Sequence, residues 1–187
     1  YLIPGEAGIE TFRESIARHG VTYTLVTNSL AATDEPVVHT GYRRYRPEML
    51  KLGMNLYELS PQKVSRSLRL GRFSTSIGRL HAKSAVVDGE RVFIGSMNFD
   101  PRSDQLNTEM GLFIQSPVLA QQMLKLVDVI RQQGAYKVTL AANGQDVIWS
   151  TVGPGGQDVV VEEPETDIWT RIMLEVLIGI EEWRAKR

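Results

Sequence analysis

The spacing of apolar positions divides the chain into alternating helical and extended stretches. Ile9, Phe12 and Ile16 recur at helical spacing within residues 6–19, and Gly20 is placed to close that helix. Val21 to Thr27 is rich in β-branched residues and predicts a buried strand. Asn28 to Glu35 is polar and loop-like. Pro36 then fits the first turn of a helix running to about Leu52 and ended by Gly53. Asn55 to Leu59 predicts a short strand, whereas Pro61 to Gly78 has no clean period and predicts a mobile loop. Leu80 to Val87 and Arg91 to Gly95 flank Asp88-Gly89, a hairpin pattern. A loop over Asn98 to Asp104 and a strand over Gln105 to Ile114 follow. Leu119, Met123, Leu126 and Ile130 then mark a core-facing helix. Lys137 to Leu140 and Asp146 to Trp149 predict a second hairpin around Asn143-Gly144. Gly153 to Gly156 predicts a flexible joint before a last helix from about Asp167 to Trp183. Strands alternating with helices, without an internal repeat, argue for a layered α/β fold. The expected division is a domain over 1–150, then a linker and amphipathic helix over 151–187.

Composition changes this picture little. A length of 187 residues supports one sizeable core, and a net charge of −1 gives no global pull toward nucleic acid or an acidic membrane. Any such attraction must be local. Tyr42 to Arg72 holds eight Lys/Arg against two Glu, a basic stretch that suits an anionic lipid and a nucleic-acid backbone equally. With no cysteine, disulfides and thiolate metal sites are excluded. The three histidines, His19, His39 and His81, include no pair at metal-ligand spacing, so no metal is expected. Apolar runs such as Val176 to Ile180 fall far short of the ~20 residues that span a bilayer. The chain opens on strand-like Tyr1-Leu2-Ile3 without an initiator Met, which predicts a piece of something longer. The last helix carries Trp169, Ile172, Met173, Val176, Leu177, Ile180 and Trp183 on one arc, opposite Arg171, Glu175 and Glu182. That arc suits burial against its own domain or a membrane interface.

Candidate chemistry concentrates in His81-x-Lys83, four residues, Asp88, six residues, Gly95-Ser96-x-Asn98. On a strand, His81 and Lys83 share a face. An imidazole can attack phosphorus or pass a proton, and a neighbouring ammonium supplies charge for phosphate oxygens. Gly95 permits close approach, while the Ser96 hydroxyl and Asn98 amide can donate to the same anion. Plainer readings stand beside these. His81 can be a core histidine, Asp88 is first of all a turn residue, and Ser96 and Asn98 can cap a strand end. Glu109 can be an ordinary surface carboxylate. His39, Arg43 and Arg46 share one helical face, which either reads an anionic headgroup or is simply solvated.

This spacing resembles the signature of the phospholipase D superfamily without a departure. Within it, the chain is similar to the C-terminal half of the bacterial cardiolipin synthase-like branch. The similarity runs through Thr27-Asn28-Ser29-Leu30-Ala31-Ala32, Val38-His39-Thr40-Gly41-Tyr42 and Leu56-Tyr57-Glu58-Leu59. It continues through Asn98-Phe99-Asp100-Pro101-Arg102-Ser103 and Asn107-Thr108-Glu109-Met110-Gly111, and more weakly through Glu162-Glu163-Pro164 with Trp169. The resemblance implies an α-β-α domain with a mixed central sheet, paired with a second motif-bearing half around one active site. One histidine becomes phosphohistidine while the other serves as acid and base, the role implied for His81. Lys83 and Asn98 would hold phosphate oxygens, supported by Ser96, and Glu109, 28 residues after His81, would hydrogen-bond the histidine. Asp88 is the signature's third residue, and His39 and Arg43 are candidate headgroup contacts.

The resemblance implies an anionic phospholipid substrate with phosphatidylglycerol as donor, no cofactor or metal, and association with a bacterial inner membrane. The motif occurs once, so the nucleophilic histidine comes from an upstream half of a parent chain or from a second copy of this one. A chain that begins mid-fold favours the upstream half. Two rivals remain: an endonuclease of the same fold, which TNSLAA and VVHTGY count against, and a non-catalytic domain that binds anionic lipid or docks a partner.

Overall fold

The computed structural model describes residues 1–67, 80–153 and 156–185. Its elements in chain order are α1 (Gly5–His19), β1 (Thr24–Asn28), α2 (Pro36–Lys51), β2 (Asn55–Leu59), α3 (Pro61–Arg66), β3 (Lys83–Val87) and β4 (Arg91–Gly95). They continue as α4 (Pro101–Gln105), β5 (Gly111–Gln115), α5 (Pro117–Gln133), β6 (Ala135–Leu140), β7 (Val147–Gly153), β8 (Gly156–Val160) and α6 (Ile168–Ala185). A five-stranded sheet runs β1-β2-β6-β7-β8, and a three-stranded sheet runs β3-β4-β5. β1 pairs parallel to β2, and the remaining pairings between these strands are antiparallel. The fold is mixed α/β, as expected.

Local chemistry sets the element ends. Gly20 closes α1 with φ 63° and donates its N–H to the Ile16 carbonyl. The β6–β7 turn places Gly144 at φ 66° and lets Asn143 Oδ1 accept from the main chain of Gln145 and Asp146. The core joins Ile9 and Phe12 of α1, Tyr42 and Met49 of α2, Met54, Leu56 of β2, Val138 of β6 and Trp149 of β7. Burial of these side chains removes apolar surface from water at about 25 cal/mol per Å².

A charge is buried in that core. Arg46 is 1% exposed. Its Nη1 donates to Glu58 Oε1 at 2.7 Å and its Nη2 to Glu163 Oε1 at 2.6 Å. Glu58 also accepts from the Tyr42 hydroxyl at 3.0 Å and from Trp149 Nε1 at 2.7 Å. Burial opposes the Arg46 charge, but Glu58 and Glu163 outweigh it and raise its pKa. Burial likewise opposes the charge on Glu163, while His39 and Arg46 hold its pKa down to about 2. His39 Nε2 lies 3.8 Å from Glu163 Oε2. Glu163 thereby ties the segment before α6 to α2 and β2.

Four expectations are corrected. Residues 61–66, expected within a mobile loop, form α3, because Ser60 Oγ accepts from Lys63 N and Pro61 preorganises the first turn. The rest of that expected loop, 68–79, lies outside the described residues. The strand expected from Gln105 starts only at Gly111. Asp100 caps α4 by accepting from Ser103 N at 2.7 Å, and that turn of helix takes up residues expected as loop and strand. The joint expected at Gly153 to Gly156 is flanked by paired strands, with Gly153 opposite Gly156, so the boundary expected at 150 falls inside β7. Residues 154 and 155 lie outside the described residues. Finally, α6 docks through Leu174, which is buried, and through Arg43 Nη2 to Glu175 Oε1 at 2.6 Å. The arc expected to suit burial on its own domain or a membrane interface is exposed at Trp169, Ile172, Met173 and Val176, which goes against the first of these. Apolar residues occur around most of this helix, so the docking face follows its partners and not the widest stripe. Among the described residues no helix is long and apolar enough to cross a membrane.

Two predictions follow from the buried charges. Arg46→Met strands Glu58 and should cost about 3–5 kcal/mol of stability, read as a lower urea midpoint; adding Glu58→Gln should return part of it. Because the Glu163 pKa is about 2 in the fold against 4.5 ordinarily, its contribution is complete above the ordinary value and lost as pH falls through the folded one. Melting temperature should therefore fall more steeply between pH 5 and pH 2 in the parent sequence than in Glu163→Gln.

Candidate active site

Strand register builds the centre of the site. Lys83 lies opposite Gly95, and Gly95 opposite Gly111. The Phe93 ring lies over both glycines. A Cβ on Gly111 would overlap that ring, and one on Gly95 would stand 2.7 Å from the Met110 carbonyl oxygen. The close approach lets Ser96 N–H reach Met110 O at 2.8 Å, and the Ser96 hydroxyl accept from Met110 N at 3.0 Å. β4 thus ends on Ser96 beside the first residues of β3.

His81 and Lys83 stand together. Lys83 Nζ is 2.9 Å from His81 Nε2 and also approaches the His81 carbonyl oxygen at 3.4 Å. For the ammonium to donate, Nε2 must carry its lone pair, which leaves the ring proton on Nδ1. His81 is exposed and Lys83 half-buried. The imidazole thus meets solvent with an ammonium against its Nε2.

Asn98 is fixed from the opposite end of the chain. Its Oδ1 accepts from the main-chain nitrogen of Tyr1 at 2.8 Å, so Nδ2 is the end able to donate to an anion. Ile3 N donates to Phe99 O at 2.6 Å, Phe99 N to Tyr1 O at 3.0 Å, and the Phe99 ring stacks on Phe12 at 5.2 Å. The segment Tyr1 to Ile3 is a splint for the Asn98 turn.

The chain matches the family described as cardiolipin synthase, phospholipase D-like domain, over residues 1–130. It belongs to that family. Cardiolipin synthase C of Escherichia coli (strain K12) is 40% identical over 178 residues, 94% of this chain and 37% of that protein. Cardiolipin synthase of Geobacillus thermodenitrificans is 32% identical over 114 residues, 61% of this chain and 19% of that protein. The chain thus spans little more than a third of the longer match. A crystal structure of a phospholipase D family member, Nuc from Salmonella typhimurium, aligns at a TM-score of 0.48 and 19% identity, covering 72% of this chain and 75% of that one.

In this phospholipase D-like domain some expected residues converge and others do not. His81, Lys83, Ser96 and Glu109 share one neighbourhood, and Asn98 follows directly from Ser96. Glu109, however, has other partners than the expected imidazole. Its Oε2 accepts from the Ser96 hydroxyl at 2.6 Å and its Oε1 from Asn107 Nδ2 at 3.3 Å. The Ser96 hydroxyl, aided by Ser103, Asn107 and the charge of Lys83, holds the Glu109 carboxyl below the usual carboxylate range. A hydroxyl has one proton, and Ser96 commits it to Glu109. The donors that face an anion are therefore Lys83 and the Asn98 amide, with Ser96 tying the carboxylate to β4.

Asp88 stays out of the site. It occupies the hairpin turn at φ 55°, pairs with Arg91 at 2.9 Å, and lies one strand length, roughly 16 Å, from Lys83. The turn needs a residue that tolerates positive φ, and Asp does. His39 and Arg43 belong to the α2–Glu163 cluster. Arg43 and Arg46 line a cleft of about 610 Å³ with Trp149, Ile168 and Leu174, and its lining includes none of His81, Lys83, Ser96 or Asn98. On this helical face His39 and Arg46 are buried, while Arg43 is partly exposed at the cleft. Among the described residues no group of three acidic or histidine side chains is disposed to hold a metal ion.

Sequence reasoning missed Asn107 and Asn28. The Asn28 amide bonds both main-chain groups of Leu80, the residue before His81. An asparagine ending a half-buried strand was the visible signal. For the glycine pair, Gly111→Ala should displace Phe93 and cost about 1–3 kcal/mol, read by chemical denaturation, and Phe93→Leu in the same chain should recover part of the loss.

Proposed function

We propose that this chain is one catalytic half of a phosphatidyltransferase that exchanges phospholipid headgroups through a phosphohistidine. The observation that carries it is the His81 Nε2–Lys83 Nζ pair at 2.9 Å, open to solvent and opposite the Gly95-Ser96 strand end. The family and the names of its relatives supply the substrate class, a phosphodiester lipid.

The groups of this chain, joined by a second motif from outside it, support the following reaction. A histidine from a second motif, in an upstream half or a second copy, attacks phosphorus. A P–N bond forms as the P–O bond to the leaving alcohol breaks, and protonated His81 donates its proton to that oxygen. His81 then takes the proton of the acceptor hydroxyl as its oxygen attacks the phosphohistidine and the P–N bond breaks. Phosphatidylglycerol is the donor, and a second phospholipid's hydroxyl or water the acceptor. Lys83 and Asn98 stabilise charge on the non-bridging oxygens throughout. Glu109, held ionised by Ser96, keeps the cation-rich side of the site in balance. The work takes place at a membrane surface, where the lipid resides.

The test is lipid turnover by the full-length protein that carries this chain, on vesicles containing phosphatidylglycerol. His81→Ala and Lys83→Ala should each lower product formation by about 100-fold or more. Unchanged turnover in His81→Ala refutes the assignment, and plasmid cleavage that disappears with His81→Ala would move it to nucleic acid.

A further inference from the structure

His81 is not itself part of a regular strand; β3 begins at Lys83. Its ring must nevertheless be held to within a fraction of an ångström for proton transfer, since a misplacement of about 1 Å can cost roughly 100-fold in rate. Something other than the β3 ladder must fix the chain before it.

Asn28 occupies the last position of β1, opposite Leu59 of β2 in the parallel register. The following residue, Ser29, is buried and accepts from Ala32 N at 3.2 Å, so the strand end cannot swing. From there the Asn28 side chain reaches across 52 residues of sequence. Its Nδ2 donates to the Leu80 carbonyl oxygen at 2.9 Å, and its Oδ1 accepts from the Leu80 N–H at 2.8 Å. A side-chain amide thus reproduces the paired bonds that a neighbouring strand would make. The Leu80 side chain packs against the cluster of Ala32, Leu59 and Val64, which anchors the same residue from a second direction.

The consequence for His81 follows from peptide planarity. The Leu80 carbonyl lies in one rigid plane with the His81 nitrogen and Cα. Fixing that carbonyl fixes where His81 leaves the plane. Lys83 is fixed in turn by its pairing with Gly95. His81 therefore sits between two pinned points, with only Ala82 free between them.

We infer that Asn28 is a positioning residue for the reaction, setting the imidazole of His81 through the main chain of Leu80 without touching substrate. This rests on His81 being the acid/base group. Asn28→Ala in the full-length protein removes both bonds. It should lower kcat for phosphatidylglycerol turnover by about 10- to 100-fold while KM stays within about twofold. Asn28→Asp, equal in size, keeps the acceptor for the Leu80 N–H but sets an oxygen against the Leu80 carbonyl. It should also lower kcat per folded molecule by about 10-fold or more, whatever its melting temperature, and it decides the matter should the Ala variant not fold. A merely structural role would lower the melting temperature and leave kcat per folded molecule alone, which overturns the inference. So does a rise in KM at constant kcat, which marks a substrate contact. His81→Ala run alongside separates the two readings. If it is inactive while both Asn28 variants turn over normally, only the positioning role fails; if it remains active, the site assignment itself fails.

Discussion

The guanidinium of Arg46 cannot leave the core and cannot stay there unpaired. Its demand for two carboxylates draws Glu58 from β2 and Glu163 from the segment before α6 into contact with α2, with Trp149 of β7 completing the hydrogen bonds of Glu58. β2 is thereby fixed along its length, and β1 is registered on it, Thr27 beside Glu58 and Asn28 beside Leu59. The end of β1 carries the amide that holds Leu80, and Leu80 precedes the exposed imidazole. A buried ion cluster thus sets the foundation for a solvent-facing reactive group. Such a cluster contributes little net stability over an apolar equivalent, but it tolerates few alternative arrangements.

The surroundings of Lys83 and Asn98 are assembled from three separate parts of the chain: the start of β3, the turn after β4 and the main chain at Tyr1. Each arrives by backbone geometry before any side chain is considered. Gly95 and Gly111 allow β4 and β5 to approach under the Phe93 ring, Ser96 and Met110 exchange bonds there, and Glu109 is delivered beside Lys83. Lys83 and Glu109 thus stand as opposite charges beside the exposed His81.

Much of this was legible in residue order. Periodicity located α1, α2, α5 and the two hairpins because each buries one face and ends on a glycine or an Asx turn. The fixed spacing from His81 to Asn98 placed those residues at one end of the hairpin because a hairpin converts sequence distance into strand register. Three things were not legible. Ser60-Pro61 and Asp100-Pro101 start helices too short to show a period, though a capping side chain before proline announces both. The docking face of α6 depends on Arg43 and Glu163, which no local pattern reveals. The Asn28–Leu80 link spans the fold, and only folded geometry makes an asparagine's two-sided amide the neighbour of one particular peptide.

The strand β5 has further meaning. It ends the three-stranded sheet, and with the residues before it exposes Leu106, Met110, Leu112 and Phe113, the last at 82%. Among the described residues nothing pairs with the outer edge of β5, so an extended segment laid along it would meet both free main-chain groups and apolar surface that water covers at a cost.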